Sequence, residues 1–112
     1  MEQKDLGKTS LGMQANLEAL LTYLLGFITG IVFYVVEKEN KFVRFHAMQS
    51  IVTFGFIFVL SIVVSFIPFL GLILNILISI IFLILWIILM IKAYQGEDFK
   101  LPIAGDIAEK NA

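Results

Sequence analysis

The sequence predicts an all-α protein: an integral membrane bundle of three transmembrane helices, with short surface helices at the termini. Three observations carry that prediction. Residues 47–91 contain no Asp, Glu, Lys, Arg or His. Residues 19–36 are likewise uncharged. Hydrophobic residues make up 60% of the 112-residue chain and its mean hydropathy is +0.98, against roughly 45–50% apolar residues in water-soluble domains. A single helix over 47–91 would run about 68 Å, while a bilayer's hydrocarbon core is about 30 Å thick, so that stretch reads as two crossings.

The elements follow in order, all within a single membrane domain, 1–112. Residues 1–16 are a polar N-terminal tail, because a charge at the bilayer centre costs about 2.5–3.5 kcal/mol on insertion scales. Met1–Lys8 is expected to be disordered. Ser10 is placed to cap a short surface helix carrying Leu11, Met13, Leu17 and Leu20. The first span is 17–36, with Asn16 as N-cap and Glu18 suited to the positive helix end. A cleaved signal peptide is rejected: the apolar run exceeds the usual core of about 7–15 residues, and no small-residue cleavage site precedes Glu37.

A charged loop, 37–46, leads into the second span, 47–66, and then the third, 70–94. Between these two, Ile67-Pro68-Phe69-Leu70-Gly71 reads as a tight apolar turn, since Pro lacks the N–H that would continue the helix and Gly tolerates a sharp reversal. Residues 95–112 form a polar C-terminal tail. There Pro102 is placed to open a short helix carrying Ile103, Ile107 and Ala108 inward.

Three crossings would put the N-terminal tail and the Pro68 turn on one side of the membrane, with Lys4 and Lys8. The other side would hold Lys38, Lys41, Arg44, Lys92, Lys100 and Lys110. Positive charge marks the cytoplasmic face, so a multi-pass cell-membrane protein is expected with loop 37–46 and the C-terminus cytoplasmic and the N-terminus outside.

Lipid is as apolar as Leu, so close backbone approach and hydrogen bonds must hold such helices together. Each span carries a suitable stripe. The first has Gly26 and Gly30 in a GxxxG spacing, the second Gly55, Ser61 and Ser65, the third Asn75 and Ser79. Folding the last two spans about residue 69 levels Ser65 with Asn75 and Ser61 with Ser79. The resulting seam reads as packing glue in preference to the lining of a polar path, because intramembrane function usually shows an ionisable residue.

The most distinctive stretch is 40–50, NKFVRFHAMQS. His46, Gln49 and Ser50 share one helix face, and Arg44 can reach a lipid phosphate or Glu37. Glu37, Asn40, Arg44, His46 and Gln49 therefore form the candidate polar motif. It reads as an anchor tying the second span to its neighbours; the competing reading is a contact for a partner, a substrate or a proton. Composition narrows the rest. With no cysteine, thiolate sites and disulfides are excluded, and one histidine argues against an all-protein metal site. A net charge of −1 gives no footprint for nucleic acid. No cofactor is expected.

Phe42-Val43-Arg44-Phe45-His46-Ala47-x-Gln49-Ser50, preceded by Glu37-Lys38-x-Asn40, resembles a family of small prokaryotic membrane proteins. So does the C-terminal signature Lys100-Leu101-Pro102-Ile103-x-Gly105-Asp106, and the resemblance extends over about 17–109. It implies a relation to the twenty-kilodalton Tic subunit of the chloroplast inner-envelope import translocon, a four-span protein associated with a protein-conducting path. The expected role is a non-enzymatic membrane component in a homo-oligomer or larger complex, with lipid and other membrane proteins as partners. A channel or translocation subunit is the alternative. A lipid-acting enzyme comes last, because only Glu37, Arg44 and His46 are near enough in sequence to attempt catalysis.

Overall fold

The computed structural model describes residues 6–112. It contains five helices: α1 (Ala15–Leu24), α2 (Phe27–Val36), α3 (Lys41–Val64), α4 (Leu70–Tyr94) and α5 (Ala104–Lys110). The all-α reading holds. Two of these helices, α3 and α4, are long and apolar enough to cross a membrane.

α3 and α4 form an antiparallel hairpin whose turn departs from the expected chemistry. The residue with a left-handed backbone there is Phe69, at φ 59°, not Gly71. Gly71 is required for space, since a Cβ on it would run into the Val64 carbonyl. The sequence assigned Gly71 the reversal; in fact it permits the close approach of the two helices beside the reversal.

The expected single span over 17–36 is instead two ten-residue helices, α1 and α2. Their neighbours fix their directions. At the start of α1, Asn16 Nδ2 donates to the Tyr94 carbonyl at 3.0 Å; at its end, Trp86 Nε1 donates to the Tyr23 carbonyl at 2.8 Å. α1 therefore runs antiparallel to α4. The Gly26 carbonyl at the start of α2 accepts from Ser50 Oγ at 2.8 Å, and the Tyr34 and Glu37 carbonyls at its end accept from Arg44 Nη1 at 2.8 Å each. α2 therefore runs antiparallel to α3. The pair is a helical hairpin that enters and returns at the same end of the molecule, and each arm is only about 15 Å long.

Gly26, at φ 62°, makes the reversal. Exposed turn backbone in an apolar setting must be satisfied by protein, and here side chains do it. Thr29 Oγ1 accepts from the Leu25 amide at 3.1 Å and donates to the Thr22 carbonyl at 3.2 Å. Ser50 and Trp86 take the carbonyls on either side. Asn16, expected as N-cap, lies inside α1, and Gln14 is the cap residue.

All polar segments gather at one end. The N-terminal segment lies on loop 37–40 through Asn40 Nδ2, which donates to the carbonyls of Leu6 at 2.8 Å and Lys8 at 3.0 Å. The N-terminal tail is thus beside the loop and the C-terminal tail, not at the Pro68 end where three crossings would have put it. Leu6–Lys8 is ordered against the body; Met1–Asp5 and Lys4 lie outside the described residues. Ser10 caps no helix. It sits in a turn, and its hydroxyl accepts from the Lys38 and Glu39 amides at 3.1 and 3.2 Å.

The core lies at this polar end. Ala15, Ala19 and Tyr23 of α1 pack with Val43 and Phe54 of α3 and Leu89 and Ala93 of α4. Beyond Phe54 on α3 and before Leu89 on α4, most large apolar side chains are exposed.

Candidate functional site

The candidate motif forms a buried network at the start of α3. Asn40 caps that helix, its Oδ1 accepting from the Val43 amide at 3.0 Å. Arg44 lies 4.1 Å from the centre of the Tyr34 ring and reaches Glu37 through that residue's carbonyl, not its carboxylate.

His46 is fully buried between two partners. Its Nε2 is 2.9 Å from the Glu97 carbonyl, which can only accept, so Nε2 carries the proton. Nδ1 is then an acceptor, and the Tyr23 hydroxyl donates to it at 2.6 Å. Gln49 Nε2 donates to the same Tyr23 oxygen at 3.0 Å and to the Phe99 carbonyl at 2.8 Å, while Gln49 Oε1 accepts from the Leu101 amide at 2.9 Å. This closed chain ties the C-terminal tail to α1 and α3. It joins His46 and Gln49 of α3 to Tyr23 of α1, a residue that sequence reasoning missed because its partner lies on another helix.

Glu37 sits beside this network, fully buried. Its carboxylate accepts from the Ser10 amide at 2.8 Å, the Glu39 amide at 3.0 Å and the Asn40 amide at 3.2 Å. Burial pushes its pKa up, but hydrogen bonds from Glu18, from the Ser10 hydroxyl and amide and from the Glu39 amide outweigh that push and hold the carboxyl well below the ordinary carboxylate range.

Glu18 faces it, also fully buried, and neither of its oxygens receives an N–H or O–H from any other residue. The nearby Thr9 hydroxyl spends its proton on the Met13 carbonyl at 2.7 Å. The sequence assigned Glu18 to the helix dipole. The available signal was the placement of one acid at each end of the same apolar run.

The expected packing residues divide. Gly30 is the contact glycine: a Cβ there would stand 2.9 Å from the Ala47 carbonyl oxygen and 3.0 Å from Ser50 Cβ. Gly26 serves the turn, so the GxxxG spacing bridges a turn and a helix instead of marking one face. Gly55 packs against nothing, with open space around its Cβ position. In the polar seam, Asn75 Oδ1 accepts from Ser61 at 2.6 Å and Asn75 Nδ2 donates to Ser65 at 2.9 Å. The expected Ser61–Ser79 pairing is absent, because the longer Asn75 side chain reaches both serines; Ser79 is exposed.

At the C-terminus, Pro102 precedes α5 instead of opening it, and Ile103 points outward, 75% exposed. Ala104, Gly105 and Ala108 face inward. Gly105 admits the Lys100 backbone, whose Cα would lie 2.8 Å from a Cβ at that position. Asp106 is exposed and pairs with Lys100 at 3.6 Å.

Two apolar helices of spanning length, with the charged side chains of the described residues gathered at one end, fit a helical membrane protein. More particularly, residues 8–108 match the magnetosome magnetite crystal formation protein family, and the chain belongs to that family. It is 58% identical over 105 residues to a UPF0132 membrane protein of Methanocaldococcus jannaschii, covering 94% of each chain. It is 50% identical over 98 residues to a UPF0132 membrane protein of Archaeoglobus fulgidus, covering 88% of this chain and 95% of that one. No solved structure matches.

Proposed function

We propose that this chain is a non-enzymatic membrane component that works by assembling with further membrane helices. In this reading α3 and α4 are its two crossings, and α1–α2 is a re-entrant hairpin reaching about halfway through the bilayer. The carrying observation is the asymmetry of the α3–α4 pair. At the polar end, α1, α2, α5 and both tails wrap it, and the His46 network is committed to internal hydrogen bonds. At the far end its apolar faces are bare. Beyond the hairpin tip an open groove of about 460 Å³, lined by Leu25, Phe27, Phe58, Ser79 and Leu83 among others, is available to a neighbouring helix.

Lys8, Lys38, Lys41, Arg44, Lys92, Lys100 and Lys110 all lie outside residues 45–91, and the polar segments that carry them share one end. The positive-inside rule makes that end cytoplasmic, the N-terminus included. The family description adds a mineral surface as a second class of partner. The C-terminal segment favours assembly over mineral binding, because three of its four acids are paired, Glu97 with Lys92 and Asp106 and Glu109 with Lys100, leaving only Asp98 without an ion pair among the described residues. A conducting path of the kind the Tic resemblance implies would need several copies, because two crossings and a half-length hairpin enclose no lumen.

Single cysteines test the topology in a chain that has none of its own. In intact cells an impermeant maleimide should label Phe69→Cys. It should reach Leu11→Cys and Lys38→Cys only after permeabilisation. Labelling of Leu11→Cys from outside would restore three crossings and remove the re-entrant hairpin. A monodisperse monomer in mild detergent, with nothing recovered by cross-linking in the membrane, would remove the assembly reading.

A further inference from the structure

Glu18 and Glu37 stand at the two ends of the α1–α2 hairpin, and the fold brings their carboxyls together with both side chains fully buried. Their surroundings differ. Glu37 receives the amides of Ser10, Glu39 and Asn40; Glu18 receives no N–H donor. Among the described residues no Lys or Arg pairs with either carboxyl. On the N-terminal segment Lys8 is exposed, as are Lys38 and Glu39 on the loop and Lys41 on α3. Arg44, also on α3, gives its Nη1 to the Tyr34 and Glu37 carbonyls. Two buried acids this close cannot both ionise, and a hydrogen bond between carboxyls requires a proton on one of them. The amides stabilise charge on Glu37, so the proton belongs to Glu18.

We infer that Glu18 and Glu37 form a proton-binding site that latches the two ends of the hairpin together and holds the N-terminal segment against them. In this site Glu18 donates its O–H to the Glu37 carboxylate. When the Glu18 O–H bond breaks, its electron pair stays on the carboxylate and the proton passes to water. Two buried negative charges then oppose one another. The segment held by the Ser10 amide is the part free to move, because it is tied to the body by a few hydrogen bonds and not by a helix. Alkaline conditions therefore open the latch. The site does not depend on how many helices cross the membrane.

Infrared spectroscopy of the full chain in lipid nanodiscs, with ¹³C-labelled glutamate, tests the proton directly. One protonated glutamate per chain should be present at neutral pH and lost as the pH is raised; Glu18→Gln should remove the band. A nitroxide on Leu11→Cys reads the latch by its mobility. In the otherwise wild-type chain the label should be held at neutral pH and become mobile in step with loss of the band. With Glu18→Gln, whose amide N–H can still donate to Glu37, it should stay held throughout. Absence of a protonated glutamate at neutral pH overturns the proposal, and so does label mobility indifferent to loss of the band. A held label that depends on sodium while no protonated band exists overturns it too, in favour of a metal cation. If Glu18→Gln does not fold, the labelled wild-type spectrum decides on its own.

Discussion

The two halves of the α3–α4 hairpin differ in sequence and are opposite in structure. From Val43 to Phe54, α3 alternates hydrophobic with polar side chains, and the buried members include His46, Gln49, Ser50 and Thr53. From Gly55 to Val63 it is almost entirely apolar, and most of that surface is exposed. In water the second half would be the better core. In lipid the order inverts: hydrocarbon solvates Leu as well as protein does, so the segments that need protein around them are those with hydrogen bonds to satisfy. The wrapped half is the polar half.

Breaking the network at its most connected member should show this most clearly. Gln49→Leu keeps volume and adds apolarity but strands the Phe99 carbonyl and the Leu101 amide and takes a donor from Tyr23. At about 1–3 kcal/mol for each buried group left unpaired, the two stranded backbone groups should together cost about 2–6 kcal/mol. SDS-induced unfolding in mixed micelles measures it, and proteolysis between residues 97 and 101 should accelerate as the tail detaches. An unchanged midpoint would mean that packing, not hydrogen bonding, holds the wrapped half.

The same comparison shows what was legible in the sequence. α3 and α4 were, because an uncharged run interrupted at Pro68 needs only local reading. The grouping of His46, Gln49 and Ser50 was, because these three share one helix face. The hairpin α1–α2 was not. An uncharged segment of span length looks like a crossing, and the turn at Gly26 depends on Thr29, Ser50 and Trp86, two of them far away in sequence. The Glu18–Glu37 pair was hidden for the same reason: an acid at each end of a crossing would lie on opposite sides of the membrane.

Glycine substitutions sharpen the contrast at smaller cost. Gly30 and Gly55 look alike in sequence, each a small residue within an apolar helix. Gly30→Val drives a side chain into Ala47 and Ser50 and should cost about 1–3 kcal/mol, the range for overpacking. Gly55→Ala meets open space and should be neutral or stabilising by up to about 1 kcal/mol from helix propensity. Equal effects at the two positions, read by the same unfolding assay, would mean that Gly55 has a protein neighbour in the membrane.

The smallest effect belongs to the far half's own hydrogen bonds. Asn75→Leu removes the bonds to Ser61 and Ser65, and bonds between membrane helices average about 0.6 kcal/mol each, so about 1 kcal/mol is the expected ceiling. Ser65 already donates to the Ser61 carbonyl at 2.6 Å, within its own helix, and Ser61 can turn back in the same way, so neither serine is left stranded. The backbone at the turn is anchored separately, by the Gly71 amide donating to the Ile67 carbonyl at 2.9 Å. A measured loss well above this ceiling for the isolated chain would show that Asn75 organises the far half as Gln49 organises the near one. A loss that appears only at high protein-to-lipid ratio would instead place Asn75 in contacts between chains, where a bare helix pair in lipid has most to gain from a polar side chain.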